Sequence, residues 1–204
     1  MTRRDAPATT RNRAPILEVL RRYVSEGATV LEIASGTGQH AAYLAPALRV
    51  HRWWPTDVDD VSLASIAAWT ADDPRVEAPR CLDVHRASWP GPQAADAVVC
   101  INMIHISPWS TTPALMAGAA RTLRPGGTLY LYGPYQRDGG HTAPSNERFE
   151  GWLKAQDPRW GVRAMEDVVA AAAGEGLDLV EVVPMPANNF SLVFRRISPA
   201  PPSS

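Results

Sequence analysis

The chain has 204 residues, which suits one domain with a substantial core and is short for two. Hydrophobic residues make up 45% and charged residues 20%, as in ordinary globular proteins, and the formal net charge is −1. A protein that wraps nucleic acid normally carries a strongly basic face, so this balance predicts no nucleic-acid partner.

Targeting and compartment signals are sparse. No apolar run approaches the ~20 residues that a membrane helix needs, and residues 1–13 lack a hydrophobic stretch resembling a signal peptide. Cys81 and Cys100 lie in or beside strand-like stretches, and two buried thiols explain them better than a disulfide. We therefore expect a cytoplasmic protein without membrane association. The sequence predicts no particular oligomeric state.

Strand-like and helical stretches alternate along the chain. Residues 1–10 are predicted to be a disordered tail, and a first helix is predicted to begin at Pro15 and to be closed by Gly27. Strand-like runs follow at 29–34, 50–54, 76–82, 97–101, 128–132, 177–183 and 191–194. Helical patterns lie at 39–48, 60–70, 112–123, 146–155 and 165–173.

The last two predicted strands are joined by a short link, 184–189, with no helical segment between them. Such a link indicates an antiparallel hairpin at the end of the sheet. Alternating strands and helices closed by a hairpin predict an α/β fold with one doubly wound, mostly parallel sheet. We predict a single Rossmann-like domain over residues 11–196, with a disordered Pro- and Ser-rich tail at 197–204.

A turn with two glycines follows the first predicted strand. The stretch TVLEIASGTGQH (residues 29–40) runs from this strand into a helix N-terminus, where an open parallel sheet binds its ligands. Gly36 and Gly38 would let the backbone pass beneath a ligand without Cβ clashes.

Three acidic residues occur near the carboxyl ends of successive predicted strands. Glu32 precedes the glycine turn, Asp57 stands about 20 residues beyond it, and Asp83 follows the third strand. An acid at Asp57 can accept both hydroxyls of a ribose, and one at Asp83 can meet an adenine amino group. Each acid alone could be a loop or cap residue. The three together with the glycine turn predict a nucleoside ligand.

NAD is the rival ligand, because residues 36–41 also satisfy the relaxed dinucleotide pattern Gly-x-Gly-x-x-Gly/Ala. A dinucleotide needs a second mononucleotide half, whereas this chain turns to a hairpin after its fifth strand. An NAD(P)-dependent oxidoreductase is therefore the third hypothesis.

The motif Glu-x-Ala-Ser-Gly-Thr-Gly (32–38), the acids Asp57 and Asp83, and LRPGGTL (123–129) resemble the class I S-adenosylmethionine-dependent methyltransferases. That superfamily has a seven-stranded sheet whose last strand is antiparallel. More narrowly, RNRAPIL (11–17), NMIHISPW (102–109), YGPY (132–135) and MPANN (185–189) resemble the methyltransferase-like protein twenty-six group, a family of unknown function.

The resemblance implies a set of cofactor contacts. The backbone of Ser35, Gly36, Thr37 and Gly38 would lie against the methionine part of S-adenosylmethionine, with Glu32 orienting that loop or reaching the amino group. The ribose would meet Asp57, and the adenine Asp83 and Val84. The remaining implied contacts are Asn102 and Met103, near the transferable methyl, and Asn12 and Arg13, closing over the cofactor from the N-terminal helix.

Acceptor contacts are expected from loops after the fourth and fifth strands. His105 is a candidate general base, although it could instead hold its loop through a hydrogen bond. The polar, glycine-rich segment 132–141 suits a mobile lid, in which Tyr135 and His141 are further catalytic candidates. Arg137 and His141 could recognise an anionic acceptor, or belong to a solvated loop. Asn188 and Asn189 are pocket candidates by resemblance alone.

The leading hypothesis is a methyltransferase that transfers a methyl group from S-adenosylmethionine to O, N or S of a small-molecule acceptor, leaving S-adenosylhomocysteine. A non-catalytic module that keeps the cofactor pocket, or a subunit of another enzyme, is the alternative. No metal is expected, because the five histidines are scattered without the spacing of a zinc or iron site.

Overall fold

The structure is a computed structural model that describes residues 3–197. Its α-helices are α1 (Pro7–Leu20), α2 (Gln39–Ala47), α3 (Asp60–Thr70), α4 (Thr111–Thr122), α5 (Pro144–Gln156) and α6 (Met165–Gly174). Short 3-10 helices lie at Met103–His105 and Pro186–Asn188. The predicted helices over 39–48, 60–70, 112–123, 146–155 and 165–173 are confirmed to within two residues at either end.

The strands are β1 (Thr29–Ile33), β2 (Arg52–Asp57), β3 (Arg80–Cys81), β4 (Ala95–Ile101), β5 (Leu123–Gly133), β6 (Tyr135–Arg137), β7 (Gly140–His141), β8 (Arg163–Ala164), β9 (Leu177–Met185) and β10 (Asn189–Arg196). Seven of them form one sheet in the order β3-β2-β1-β4-β5-β10-β9. The strands β1 to β5 run parallel, and β10 is antiparallel to both β5 and β9. The predicted fold class and hairpin are confirmed.

Alternate residues of each central strand enter two different cores, one on each face of the sheet. In β4, Val98 packs with residues of α4 and α6, whereas Val99 packs with residues of α1 and α2. Both valines are fully buried, as expected for parallel strands covered on two sides. Because the strand order reverses between β1 and β4, the carboxyl ends of these strands open a crevice, and the site lies there.

The N-terminal residues differ from the sequence prediction. Residues 3–10 are not a disordered tail, because α1 begins at Pro7, and Pro15 lies inside the helix, where it forfeits one hydrogen bond to the carbonyl of Arg11. Proline is common at the first helical position, so Pro7, and not Pro15, marks the start of α1. The preceding residues are tied down: Ala6 N donates to Gln39 Oε1 (2.7 Å), and Arg4 N donates to Ser65 Oγ (2.9 Å).

The third strand and the predicted lid differ from the sequence prediction. A third prediction, the C-terminal tail, concerns residues that lie largely outside the described range. The third strand is only Arg80–Cys81, preceded by an isolated bridge at Val76, because Pro79 has no N–H to donate to a ladder. The segment predicted as a mobile lid forms β6 and β7 of a small sheet with β8. The predicted C-terminal tail lies outside the described residues except for Ile197, whose N–H donates to Gly176 O.

Candidate active site

The glycine turn after β1 is built from left-handed backbone. Ala34 (φ 54°), Gly36 (φ 59°) and Gly38 (φ 89°) all occupy this region. A Cβ on Gly38 would stand 2.6 Å from Ile66 Cα, so glycine is required there for α3 to approach the turn. At Gly36 a Cβ would meet nothing within 4 Å, because this residue faces open space.

Asp57, at the end of β2, fixes the glycine turn. Its Oδ2 accepts from Gly36 N (2.9 Å), and its Oδ1 accepts from Val58 N (2.8 Å) and Asp59 N (3.1 Å). The residue is 8% exposed. A carboxylate oxygen can accept two hydrogen bonds, so Oδ2 keeps one site for a ligand hydroxyl. This acid therefore joins two strand ends and can still receive a ligand.

Glu32 is fully buried behind the turn rather than within it. Its Oε2 accepts from the indole Nε1 of Trp53 at 2.9 Å, which joins β1 to β2. Burial raises the pKa of Glu32 to about 7. A carboxyl group so enclosed is better placed to orient the loop from behind than to meet the amino group of a ligand.

A cavity of about 560 Å³ opens in front of the turn, and we call it the glycine-loop cavity. Pockets of this size hold cofactor-sized ligands. Its polar wall includes Asp57 and Asp83, the latter accepting from His85 N (3.0 Å) and His85 Nδ1 (2.9 Å). Its full lining is Ile33, Ala34, Gly36, Asp57, Val58, Ser62, Leu82, Asp83, Val84, His85, Ile101, Met103, Ile106, Ser107 and Thr111.

A second cavity of about 450 Å³ adjoins the first and shares Ile106 with it. We call it the amide-lined cavity, because asparagine side chains dominate its polar wall. Its lining comes from α1 (Ala8, Arg11, Asn12), the β4 end (Asn102, Ile106), the β5 end (Tyr132, Pro134), α5 (Ser145, Asn146, Phe149) and the β9–β10 turn (Pro186, Ala187, Asn189). Five separate segments therefore meet around one space.

Strained backbone lies beside both cavities. Asn102 (φ 64°) and Ala187 (φ 58°) line the amide-lined cavity, and Ala34 lines the glycine-loop cavity. A left-handed alanine lacks the local hydrogen bonds that make this region tolerable for asparagine. Such residues concentrate at ligand sites, where surrounding contacts hold them in place. The turn at Ala187 is held by Asn189 Nδ2, which donates to Pro186 O (3.1 Å) and Ala187 O (3.2 Å).

Some of the predicted cofactor-binding residues line one of the two cavities, and the others line neither. Those lining the glycine-loop cavity are Gly36, Asp57, Asp83, Val84 and Met103. Asn12 and Asn102 line the amide-lined cavity instead. The predicted contacts outside both linings are Arg13, Glu32, Ser35, Thr37 and Gly38.

The residues outside the linings have structural partners. Arg13 stacks on the Tyr43 ring at 4.6 Å, so it does not close over either cavity. Ser35 Oγ accepts from Thr56 N at 3.2 Å, and Thr37 O accepts from Ser65 Oγ at 2.8 Å. These hydrogen bonds hold the glycine turn against β2 and α3.

His105 and Tyr135 do not fit the catalytic roles expected for them. Both are completely buried, line neither cavity, and pack edge-to-face with ring centroids 5.0 Å apart. Burial lowers the pKa of His105 to about 3, and its Nδ1 accepts from Arg163 N at 3.4 Å. A Cβ on Gly133 would stand 2.4 Å from His105 Nε2, so the β5 backbone covers the ring. His105 packs its loop, which was the alternative interpretation.

His141 likewise lines neither cavity. Its Nε2 lies 2.6 Å from Glu150 Oε2 on α5, which fastens β7 to that helix. Arg137 stacks on Phe190 at 5.9 Å. Neither residue lines the amide-lined cavity, so the expected recognition of an anion by this segment does not match its position.

Several residues that line the cavities are only weakly indicated by the sequence. Arg11 and Ala8 belong to the stretch expected to be disordered or only to flank the first helix, and Asn146 and Phe149 lie on an otherwise ordinary amphipathic helix. The start of α1 at Pro7 was the one usable signal, since it places Ala8, Arg11 and Asn12 on one helix face.

The sheet order, the antiparallel last strand and the cavity at the carboxyl ends of β1, β2 and β4 define the Rossmann-like fold of S-adenosylmethionine-dependent methyltransferases. Within that fold class, the chain belongs to the family described as "Protein of unknown function (DUF938)", whose model matches residues 3–196.

Solved structures of methyltransferases share this fold at low identity. An O-methyltransferase family protein from Burkholderia thailandensis has a TM-score of 0.80 and 18% identity over 94% of this chain and 58% of its own. The S-adenosylmethionine-dependent methyltransferase SibL has a TM-score of 0.77 and 18% identity over 94% and 56%. The pyocyanin biosynthetic protein PhzM has a TM-score of 0.75 and 15% identity over 93% and 56%. The chain thus spans less than two thirds of each of these proteins.

Within residues 3–197, no helix combines the length and apolarity needed to cross a membrane. Over the same range, no three His, Cys, Asp or Glu side chains gather closely enough to hold a metal ion.

Proposed function

We propose that this protein is an S-adenosylmethionine-dependent methyltransferase acting on a small molecule. The observation that carries the proposal is the pair of adjoining cavities at the carboxyl edge of the sheet, which share Ile106. One cavity has acids at two strand ends beside a glycine turn, and the other is assembled around it from helices and turns. Two neighbouring sites are what a transfer between two molecules requires.

The residues of the glycine-loop cavity fit the nucleoside part of S-adenosylmethionine. The free acceptor site of Asp57 Oδ2 suits a ribose hydroxyl, and Asp83 suits an adenine amino group. Val58, Leu82 and Val84 supply apolar surface for an adenine ring. When bound, S-adenosylmethionine supplies a methyl group that is activated by its sulfonium centre. The protein has therefore little covalent work to do.

The work left to the chain is to position the acceptor and exclude water. Holding two reactants in line can contribute about 7–11 kcal/mol to lowering a barrier. Ile106 lines both cavities, and Asn102 lines the amide-lined cavity between Ile101 and Met103, which line the glycine-loop cavity. We propose that Asn102 and Ile106 orient the acceptor beside the transferable methyl, whereas the family resemblance gives Asn102 a contact with the methionine part of the cofactor.

The amide-lined cavity also restricts the chemistry of the accepting atom. Among the described residues that line it, the ionisable side chains are Arg11 and Tyr132, and burial raises the pKa of Tyr132. Neither group accepts a proton readily at neutral pH. The proposed acceptor atom therefore has an available lone pair, as in a carboxylate, a thiolate or a ring nitrogen. We propose no catalytic role for His105, His141 and Tyr135, because they line neither cavity.

The proposal also includes the size of the acceptor, the cellular location and the narrower family relationship of the protein. A cavity of about 450 Å³ suits a small acceptor better than a folded protein. We retain a cytoplasmic location as a prediction. We also retain the narrower relationship to the methyltransferase-like protein twenty-six group, which the motifs at 102–109 and 185–189 support.

A transfer assay tests the proposed function. The purified protein is incubated with S-adenosylmethionine carrying a tritiated methyl group and with the small-molecule fraction of a cell extract. We expect label to enter a low-molecular-weight product and S-adenosylhomocysteine to accumulate in equal amount. Tight cofactor binding without transfer to any fraction would favour the non-catalytic binding module. Absence of both binding and transfer would contradict the proposal, and a fluorescence increase on mixing with NADH would then favour the oxidoreductase.

A further inference from the structure

Arg11 gives the amide-lined cavity its charge. Helix α1 presents Ala8, Arg11 and Asn12 to the cavity, at the i, i+3 and i+4 positions that share one helix face. Over residues 3–197, Arg11 forms no ion pair and no side-chain hydrogen bond. Its guanidinium is exposed and brings five N–H donors without a counter-charge.

Two of the four asparagines in the same wall, Asn146 and Asn189, have no amide N–H left to donate. Asn146 Nδ2 donates to Thr142 Oγ1 (3.0 Å) and to Asn188 O (3.0 Å). Asn189 Nδ2 likewise donates to two carbonyl oxygens of its own turn. An amide nitrogen has two hydrogens, so these residues can offer a ligand only their oxygens. Among the described residues that line the cavity, Arg11 is the one cation, so an anionic group that enters the cavity would find its counter-charge there.

The rest of the wall is apolar or neutral. Phe149, Pro134 and Ile106 line the cavity, and in the described part of the chain no carboxylate lines it. A guanidinium without a competing carboxylate binds carboxylates well, because its parallel N–H groups match the two oxygens. The wall thus suits a molecule with an apolar body and one carboxylate.

We propose that the amide-lined cavity binds a small organic acid, with Arg11 as the residue that recognises its carboxylate. This inference rests on the proposed function in one respect only, namely that the bound acid is the methyl acceptor. Arg11 acts here as a specificity-determining residue that binds charge and has no part in removing a proton.

Ligand titration followed by two-dimensional NMR of the full-length protein tests the proposal. The probes are phenylacetate and benzoate, compared with their uncharged counterparts phenylacetamide and benzamide, with and without S-adenosylhomocysteine. We expect the two carboxylates to bind at least about tenfold more tightly than the amides, because an ionic hydrogen bond is about twice as strong as a neutral one. Shifts should centre on residues of α1 and α5.

Variants connect the binding to Arg11. Arg11→Gln should weaken both carboxylates by about tenfold or more, and Arg11→Lys should restore part of the loss by returning the charge. Arg121→Gln is the matched control, because Arg121 is exposed on α4 and lines neither cavity. It should leave carboxylate binding unchanged, although it alters the net charge equally.

Three outcomes would overturn the proposal: equal binding of acids and amides, an equal effect of Arg11→Gln and Arg121→Gln, or no binding of any probe. Calorimetry with S-adenosylhomocysteine on the same samples reports on the proposed function separately. Carboxylate binding that depends on Arg11 in a protein without affinity for S-adenosylhomocysteine would uphold the anion site and reject the methyltransferase. The converse result would reject the anion site alone.

Discussion

The two cavities of this protein differ in how their walls are assembled and in the charge that they carry. The glycine-loop cavity is formed largely by residues that follow β1, β2, β3 and β4, and it contains Asp57 and Asp83. The amide-lined cavity draws on five separate segments and contains Arg11 and no carboxylate among the described lining residues. We infer that one cavity is suited to a cationic nucleoside and the other to an anion.

This difference has a structural origin. Residues at strand ends are positioned by the sheet itself, so the glycine-loop cavity depends on backbone geometry at a few positions such as Gly38. The amide-lined cavity depends on side-chain hydrogen bonds between helices and a turn, such as those of Asn146. Substitutions should therefore damage the two cavities separately and to different extents.

The largest effect is expected from Gly38→Ala. The added Cβ would meet the Ile66 backbone at 2.6 Å, and the residue would have to keep φ at 89°. Strain and overpacking together should lower the free energy of unfolding by at least about 3 kcal/mol. Urea denaturation measures this change.

Gly36→Ala is the control for the glycine turn. Its Cβ would meet nothing within 4 Å, so only the positive φ of 59° is unfavourable. We expect a loss of about 1 kcal/mol. Equal losses for Gly36→Ala and Gly38→Ala would show that contact with α3 does not determine the shape of the turn.

An intermediate effect, restricted to the amide-lined cavity, is expected from Asn146→Ala. This change removes the hydrogen bonds from the buried amide to Thr142 and to the β9–β10 turn, at a cost of about 1–3 kcal/mol in the free energy of unfolding. Affinity for S-adenosylhomocysteine should stay within twofold of the unmodified protein, which calorimetry would measure. A parallel loss of that affinity would mean that the two cavities are not independent.

A pH dependence of the free energy of unfolding is expected from Glu32, the buried acid behind the glycine turn. The pKa of Glu32 rises from 4.5 in the unfolded chain to about 7 in the folded protein, because burial disfavours its charged form. A raised folded-state pKa stabilises the protein below pH 4.5, and this contribution is lost as the pH rises to about 7. For one proton the slope cannot exceed about 1.4 kcal/mol per pH unit.

Glu32→Gln isolates this pH dependence, since buried histidines such as His105 titrate equally in both proteins. The free energy of unfolding of the unmodified protein minus that of the variant should decrease between pH 4.5 and about 7, and level off above it. Urea midpoints at intervals of one pH unit provide the measurement. A difference that is constant over this range would place the pKa of Glu32 near its ordinary value.

The sequence predicts the two cavities to different extents, and the reason is again how their walls are assembled. The α/β alternation, the hairpin and the line of Gly36, Asp57 and Asp83 could be predicted, because periodicity and strand-end position are local properties of the chain. The amide-lined cavity could be predicted only in part: Asn102 and Asn189 are candidates from the sequence, whereas Arg11 and Asn146 acquire a role only when distant segments meet. The choice between the two roles considered for His105 depends on its packing against β5 and β8, which its neighbours in sequence do not reveal.

Isothermal titration calorimetry with S-adenosylhomocysteine is the most direct test of the claim that the glycine-loop cavity binds the methyl donor. The comparison uses the unmodified protein, Asp57→Asn and the matched control Asp60→Asn, which makes the same chemical change three residues away, outside both linings. Thermal unfolding of all three confirms that each is folded. We expect micromolar binding that Asp57→Asn weakens by about 10- to 100-fold and that Asp60→Asn leaves intact. No binding to the unmodified protein, or equal binding to all three, would contradict the account.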